Sequence, residues 1–520
     1  MGRGTILAFL ALGLSVVILA NDFSALNVSL PTIEQDFDTD VTTVQWVINA
    51  YALVFGVLIV SGGRLADLFG RKRIFMIGTT IFAVFSLLGG LAPNEFLLIA
   101  ARAVMGVGGA LMWPAILGMT YAALPKEKAG LAGGLILGAA GIGQAIGPLT
   151  GGILTEYVSW RAVLIVNVPI AAFAMTVVWL EIHQHEEHAA GERLDYGGMA
   201  ALSVALFALL FALDQATDWG WGNWMIVACL IASGVLLAVF VVIERRMGTS
   251  ALVPGDLARR SNFIWPCICV GLLSALFFAS MLYLPQYMQK ILDYSPVRAG
   301  VAMLPLFVPF AVLAFIAGPL YNRLGAKLIV SIGVAAITVG GFLLTFVDDS
   351  SGYRELIAGM VVMGAGVGVF FPSVTTAAVT AVKASRQSLA GGLTYMFQIA
   401  GGAVGLGLAT TVFATASEHK LDSKVTAAGL KVNDSEGDAA QGILAGTDSA
   451  KAALSHFPAQ VQTQIRSFVH DAFVVGFQDV FWFCTILSFL GLLVAVFFVG
   501  GRLHLRPRSV IEEAPAEESA

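Results

Sequence analysis

The sequence predicts an all-helical membrane protein whose fourteen spans fall into groups of six, two and six. Composition points there first: 58% of the 520 residues are hydrophobic and only 12% are charged, about half the charge of a water-soluble domain. Apolar stretches of about 20 residues recur along the chain, each long enough to cross a hydrocarbon core of about 30 Å. Finally, several short motifs occur twice, half a protein apart.

In chain order, span 1 is expected over 6–31. It opens with Arg3 and an apolar run, as a secretory leader does, but it runs too long, carries Asp22 and lacks a small-x-small cleavage site, so it reads as a retained helix. Spans 2 (44–62) and 3 (74–92) flank the basic stretch GGRLADLFGRKR at 62–73. Span 4 (96–122) holds Arg102, and span 5 (130–154) contains GIGQAIGPLTGG at 141–152. Span 6 (162–182), spans 7 and 8 (197–213 and 224–243) and span 9 (264–288) follow. Span 10 (299–320) reads AGVAMLPLFVPFAVLAFIAG over 299–318, without an acid; spans 11 to 14 occupy 327–347, 355–379, 389–416 and 476–500. Residues 417–470, rich in Ala, Gly, Asp and Ser, form an expected external loop. Its last part places Val461, Ile465, Phe468, Val469 and Ala472 on one helical face, as an amphipathic helix anchoring the loop or gating an exit would. Residues 501–520 begin basic and end EEAPAEESA, the composition of a disordered tail.

Lysine and arginine set the topology, because cytoplasmic loops are enriched in them. With both termini in the cytoplasm, 19 of the 29 basic residues lie inside, and the reverse topology would expose Arg71-Lys72-Arg73, Arg245-Arg246 and Arg259-Arg260 outside. An inner (plasma) membrane location is expected. The net charge of -5 is spread over external loops and the tail and does not imply nucleic acid. Cys229, Cys267, Cys269 and Cys484 all lie in apolar segments without the partners of a metal set, and disulfides are not expected. HQHEEH at 183–188 reads as a solvated loop rather than a metal site, so no metal or cofactor is expected. No phosphate loop G-x-x-x-x-G-K-[ST] occurs, which removes the signature of an ATP site, and no nucleophile has a supporting partner, which argues against an enzyme.

GPLYNRLGAK at 318–327 echoes the stretch at 62–73: Gly63, Leu65, Asp67 and Gly70 recur as Gly318, Leu320, Asn322 and Gly325, 255 residues on. LLIAARAVMGVGGALMWP (97–114) likewise aligns with ELIAGMVVMGAGVGVFFP (355–372), and LAGGL recurs at 131–135 and 389–393. These offsets make 1–182 one six-helix bundle, 183–262 an inserted pair and 263–500 the second bundle, followed by the tail at 501–520. Parallel six-span repeats place a substrate site between bundles near the midplane and permit alternating access.

Four motifs carry a resemblance to a known family. GGRLADLFGRKR resembles its loop between spans 2 and 3, Arg102 with Gly106 and Gly108 its span 4 motif, GIGQAIGPLTGG its span 5 motif, and NDFSALNVSLPTI (21–33) its span 1 motif; WRAVLIVNVPI (160–170) adds a further stretch. Together they resemble the fourteen-span drug:proton antiporters of the major facilitator superfamily. The resemblance implies that fold, no cofactor, protons and small amphipathic substrates as partners, and surrounding membrane lipid; a monomer is expected.

Asp22 leads the candidate residues, since a carboxylate inside a span is costly and functional by default. Burial favours its protonated form and a nearby cation its ionised form. Arg102, always charged, is the expected counter-charge and second proton-coupling residue. The aligned second-bundle positions are Leu276 for Asp22, Met360 for Arg102 and Leu406 for Pro148, so coupling is expected in the first bundle alone. Asp22, Asn27, Trp46, Tyr51, Phe55, Trp113, Tyr283, Tyr287, Tyr395 and Gln398 form the candidate substrate set, aromatic faces suiting flat or cationic compounds although anchoring and packing use the same residues. Gly63, Asp67, Gly70, Arg71, Gly147 and Pro148 form the candidate conformational switch: the basic loop with Arg64, Lys72 and Arg73 offers contacts to acids, helix ends or headgroups, and the Gly/Pro stretch a bendable seam between bundles. The reading is proton-driven efflux of monocationic or neutral lipophilic drugs. Alternatives are export of an endogenous lipid, peptide or siderophore, proton-coupled import, and a nontransporting sensor or scaffold.

Overall fold

The computed structural model describes residues 3–39, 41–182, 194–247, 251–349, 351–427 and 459–500. The HQHEEH stretch and the terminal tail lie outside the described residues. Among the described residues, fourteen helices are long and apolar enough to cross a membrane: spans 1 to 8 are Gly4–Phe37, Thr43–Phe69, Arg71–Gly90, Glu95–Ala122, Ala129–Tyr157, Trp160–Glu181, Tyr196–Ala216 and Trp224–Met247, and spans 9 to 14 are Ser261–Lys290, Pro296–Leu324, Ala326–Leu344, Tyr353–Thr380, Ala384–Lys424 and Ile465–Phe498.

Most helices run past the apolar stretch that announces them. The segment expected to be loop from 417 onward is helical at both ends, one helix continuing to Ala427 and the next beginning at Ala459. The amphipathic stretch around 461–472 is therefore the outer part of the last spanning helix rather than a separate surface helix. Lys424 and Asp471 pair at 2.6 Å across these extensions, which ties them together beyond the apolar region.

Two spans are broken. Span 6 divides into Trp160–Ile165 and Asn167–Glu181, because Pro169 has no N–H to return to the carbonyl of Ile165. Span 10 divides into Pro296–Val301 and Leu304–Leu324, with Pro305 at the restart. Asparagine at the first break delivers its side chain to the functional site below.

The duplication is visible in the packing. Spans 2 and 4, 1 and 5, and 3 and 4 pair in the first bundle, and spans 10 and 12, 9 and 13, and 11 and 12 pair in the second. Gly70 (φ 98°) and Gly325 (φ 82°) occupy equivalent turns into spans 3 and 11, and that left-handed region explains why glycine stands in both copies. The bundles meet along two seams, span 5 against span 10 and span 2 against span 13. A methyl group on Gly130 would sit 2.3 Å from the carbonyl oxygen of Gly318, and one on Gly63 2.7 Å from that of Ser388. Only hydrogen at these positions lets the helices touch backbone to backbone.

The inserted pair lies across one seam. Span 7 packs on spans 2 and 13, with Leu210 and Ile399 both against Gly56, and Asn49 of span 2 donates to the Asp214 carboxylate at 3.0 and 3.1 Å. Span 8 leans chiefly on span 7 and is 11% buried within the protein. Its mean hydropathy of 3.1, the highest of the fourteen, suits a helix that faces lipid over most of its surface.

Candidate coupling and substrate site

The site begins with the rotation of span 1. Side chains added at Gly143, Gly147 and Gly151 would collide with Val17, Ser24 and Ala25, so this i, i+4, i+8 glycine face of span 5 holds span 1 in close contact. Part of the span 5 motif therefore packs inside the first bundle, and Gly147 is not on the seam between bundles. Gly141 and Pro148 are: the former faces Ala311, and the latter touches Gly300 of span 10.

With that face of span 1 committed, Asp22 points toward spans 4 and 6. Its Oδ2 meets Arg102, and both side chains are completely buried. Asn167, at the break in span 6, donates to Asp22 Oδ1 at 3.2 Å and to the Ser86 hydroxyl at 3.2 Å. Ser86 in turn donates to the Leu164 carbonyl at 2.7 Å. Arg102 donates through Nε to the Val47 carbonyl at 2.8 Å and lies 4.4 Å above the Tyr51 ring. Buried charge is tolerable only when paired and hydrogen-bonded, and spans 1, 2, 3, 4 and 6 all contribute to this arrangement.

Tyr51 carries the arrangement toward the seam. Its ring is 4.8 Å from Phe23 and 6.0 Å from Phe55, Phe55 is 5.6 Å from Tyr395 on span 13, and Tyr395 is 4.6 Å from Trp113. An aromatic cluster thus crosses from the first bundle to the second, one ring away from the ion pair. Within it, Tyr51 Oη and Trp113 Nε1 are buried without hydrogen-bond partners among the described residues, an unspent polar capacity within packed aromatic rings.

Four of the candidate aromatic residues, Tyr51, Phe55, Trp113 and Tyr395, meet here. The others do not join them. Trp46 packs on Phe211 of the inserted pair, 6.0 Å between centroids. Tyr283 donates to Thr410 at 3.2 Å, and Tyr287 holds the carbonyls of Asp348 and Ser351 at 2.9 and 3.0 Å, which makes it an anchor for the turn between spans 11 and 12. Asn27 is exposed and donates to the Phe23 carbonyl of its own helix at 2.8 Å, while Gln398 is half-buried one turn from Tyr395. Sequence reasoning missed Asn167, Ser86 and Phe23. A polar amide inside an apolar span two residues before a proline was the available signal for the first; Phe23 and Ser86 had none.

Of the candidate switch residues, Gly63, Asp67, Gly70 and Arg71 lie at a junction at the end of the molecule that carries the basic loops, whereas Gly147 and Pro148 do not. Asp67 accepts from the backbone N–H groups of Ser388 and Leu389 at 3.2 and 2.8 Å, capping the N-terminus of span 13. Arg71 bonds Asp67 through Nε and Nη2 at 3.3 and 3.2 Å, reaches the Gly118 carbonyl at 2.9 Å and also holds the Ala384 carbonyl. Lys72 bonds the carbonyls of Trp179 and Ile182 at 2.8 and 2.7 Å, closing the end of span 6 instead of facing headgroups. The other seam repeats the device: Asn322 Oδ1 accepts from Gly130 N at 3.1 Å, and Tyr121 shares a 2.9 Å hydrogen bond with Thr376. Both seams are therefore latched at this end.

The sequence matches the Major Facilitator Superfamily over residues 12–406. It is 36% identical over 414 residues to the puromycin resistance protein pur8 of Streptomyces alboniger, covering 77% of this chain and 81% of that one. It is 31% identical over 421 residues to the multidrug resistance protein Stp of Mycobacterium tuberculosis, covering 80% and 77%. To the tetracenomycin C resistance and export protein of Streptomyces glaucescens it is 28% identical over 491 residues, 94% of this chain and 90% of that one. The crystal structure of the human organic anion transporter MFSD10 (TETRAN) superposes with a TM-score of 0.59 over 95% of this chain and 100% of that one, at 13% identity, a likeness of fold alone. Duplicated bundles, the inserted pair and the extended match together establish a multi-pass membrane protein that belongs to the major facilitator superfamily.

Proposed function

We propose that the protein is a proton-coupled antiporter of the plasma membrane that exports amphipathic, monocationic or neutral lipophilic compounds, with both termini in the cytoplasm and no enzymatic step. The observation that carries this reading is the buried Asp22–Arg102 pair, held by Asn167 and joined through Tyr51 to the aromatic cluster at the seam. The printed names of the relatives, resistance and export proteins for puromycin, tetracenomycin C and multiple drugs, agree with it.

Residue chemistry supplies the cycle. While Asp22 is ionised it binds Arg102, and the guanidinium sits over Tyr51. A proton arriving from outside neutralises the carboxyl and weakens that attraction, so Arg102 and Tyr51 shift and the aromatic chamber releases its occupant outward. Proton loss to the cytoplasm restores the pair and the binding form. One elementary charge crossing 100 mV is worth about 2.3 kcal/mol, enough to bias two facing states without ATP. Because span 10 adds no acid, a substrate with one positive charge, or none, fits better than a dication.

The test is flux in proteoliposomes under an imposed pH gradient. Wild type should show substrate-dependent proton movement, and Asp22→Asn should bind substrate yet abolish it; coupling that survives the substitution removes the reading.

A further inference from the structure

Two carboxyl groups that take no part in the Asp22 site meet where the inserted pair begins and ends. Asp195 stands immediately before span 7 and accepts from the Gly198 N–H through Oδ1 at 2.7 Å, capping that helix. Glu244, in the last turn of span 8, accepts from the backbone N–H groups of Leu252 at 3.1 Å and Val253 at 2.9 Å. These two residues belong to the linker that leads into span 9, and Ala251 and Leu252 within it are buried. The acids thus hold both ends of the inserted pair at the latched end of the molecule.

They also face each other. A methyl group on Gly198 would sit 2.3 Å from Asp195 Oδ2 and 2.9 Å from Glu244 Oε1, so glycine leaves room for both oxygens over the first turn of span 7. The Glu244 carboxyl is in hydrogen-bonding contact with the Asp195 side chain, yet Asp195 is buried and, among the described residues, no donor reaches its Oδ2. Ionised carboxylates only accept. Two of them in contact away from water require one proton between them, because like charges at that distance are strongly disfavoured. Helix direction places the proton: the N-terminus of span 7 favours charge on Asp195, and the C-terminus of span 8 disfavours it on Glu244. Among the described residues, no cation takes the proton's place. Arg245, Arg246 and Tyr196 are exposed, and Arg260 beyond the linker donates to the Ala381 carbonyl at 2.6 Å. On spans 2 and 13, against which span 7 packs, Asp67 and Arg71 bond each other, and neither they nor Arg64 act on Glu244, whose charged neighbour is Asp195.

We propose that Asp195 and Glu244 form a second proton-binding site, closed by one shared proton, that clasps the linker into span 9 to the start of span 7. As the pH at the latched end rises, the proton leaves and both carboxylates are charged. Glu244 then turns to water and releases the N–H groups of Leu252 and Val253. That linker is the tether between the inserted pair and the second bundle, so the proton held here sets its slack, independently of any proton at Asp22.

Hydrogen exchange of the full chain in lipid nanodiscs from about pH 6 to about pH 9, with each rate divided by the intrinsic rate at that pH, tests this. In wild type, protection of the segment carrying Leu252 and Val253 should fall about tenfold over that range. Glu244→Gln, whose amide donates to Asp195 as the shared proton does, should keep the segment protected throughout, and Glu244→Ala should leave it unprotected throughout. Asp22→Asn should retain the wild-type response, which separates this site from the coupling reading. Wild-type protection that does not change with pH overturns the proposal, whether or not the variants purify. So does a pH response that survives Glu244→Gln, or wild-type protection that follows magnesium concentration instead of pH, which would make the pair a cation site.

Discussion

Asp22 and Arg102 pair completely out of water, and Asn167 donates to the same carboxylate. A hydrogen bond to a charged group is worth about 1.5–3 kcal/mol. Removing the amide leaves the ionised carboxylate less well held and takes one donor from Ser86, so Asn167→Ala is expected to slow the proposed proton-coupled export about tenfold, about 1.4 kcal/mol on the barrier. Equilibrium substrate binding should stay within about threefold, because the hydrogen bonds of Asn167 go to Asp22 and Ser86 rather than to the aromatic cluster; stopped-flow flux beside a binding titration separates the two. Both charged members of the pair were legible in the sequence, since intramembrane charges announce themselves against an apolar background. Asn167 was not assigned, because its role depends on a broken helix turning it inward.

Among the elements, the two turns repeated 255 residues apart do related work with different chemistry. Asp67 offers an anion to the N-terminus of span 13, and Asn322 offers a neutral carbonyl to the N-terminus of span 5. The duplication therefore keeps the contact where it loses the charge. An anion at a helix start is worth about 1 kcal/mol more than a neutral acceptor, and about 1 kcal/mol is about fivefold in a two-state ratio. Asp67→Asn should accordingly raise the population open at the latched end about fivefold, and Asn322→Asp should lower it. Spin-label distances across spans 2 and 13 and across spans 5 and 10 report both; a population unmoved by Asp67→Asn would rule out this latch. The positive φ at Gly70 and Gly325 explains why glycine persists in both turns although Asp67 does not.

Across the whole molecule, the inserted pair meets the two bundles chiefly through span 7. Span 8 buries little of itself in the protein, and span 7 rests on the outside of the seam between spans 2 and 13. Replacing residues 183–260 by a short polar linker should leave two bundles that purify as a monodisperse species and bind substrate within about threefold of wild type. A lower melting temperature is expected, since Leu210 and the Asn49–Asp214 contact are lost. Aggregation of that variant would show that the pair is integral to bundle assembly.

The sequence by itself determined the number of spans, the duplication, the insertion and the intramembrane charges, because hydropathy, spacing and the cost of a charge in lipid are local properties. Only the tertiary structure decided which residues meet. Trp46 and Tyr51 are five positions apart on one helix, yet one faces the inserted pair and the other Arg102. Gly143, Gly147 and Gly151 serve span 1 while Pro148, among them in sequence, serves span 10. Each of these outcomes follows from how a helix is rotated against its neighbours, and that rotation is fixed by close packing between helices far apart in the chain, which no single stretch of sequence records.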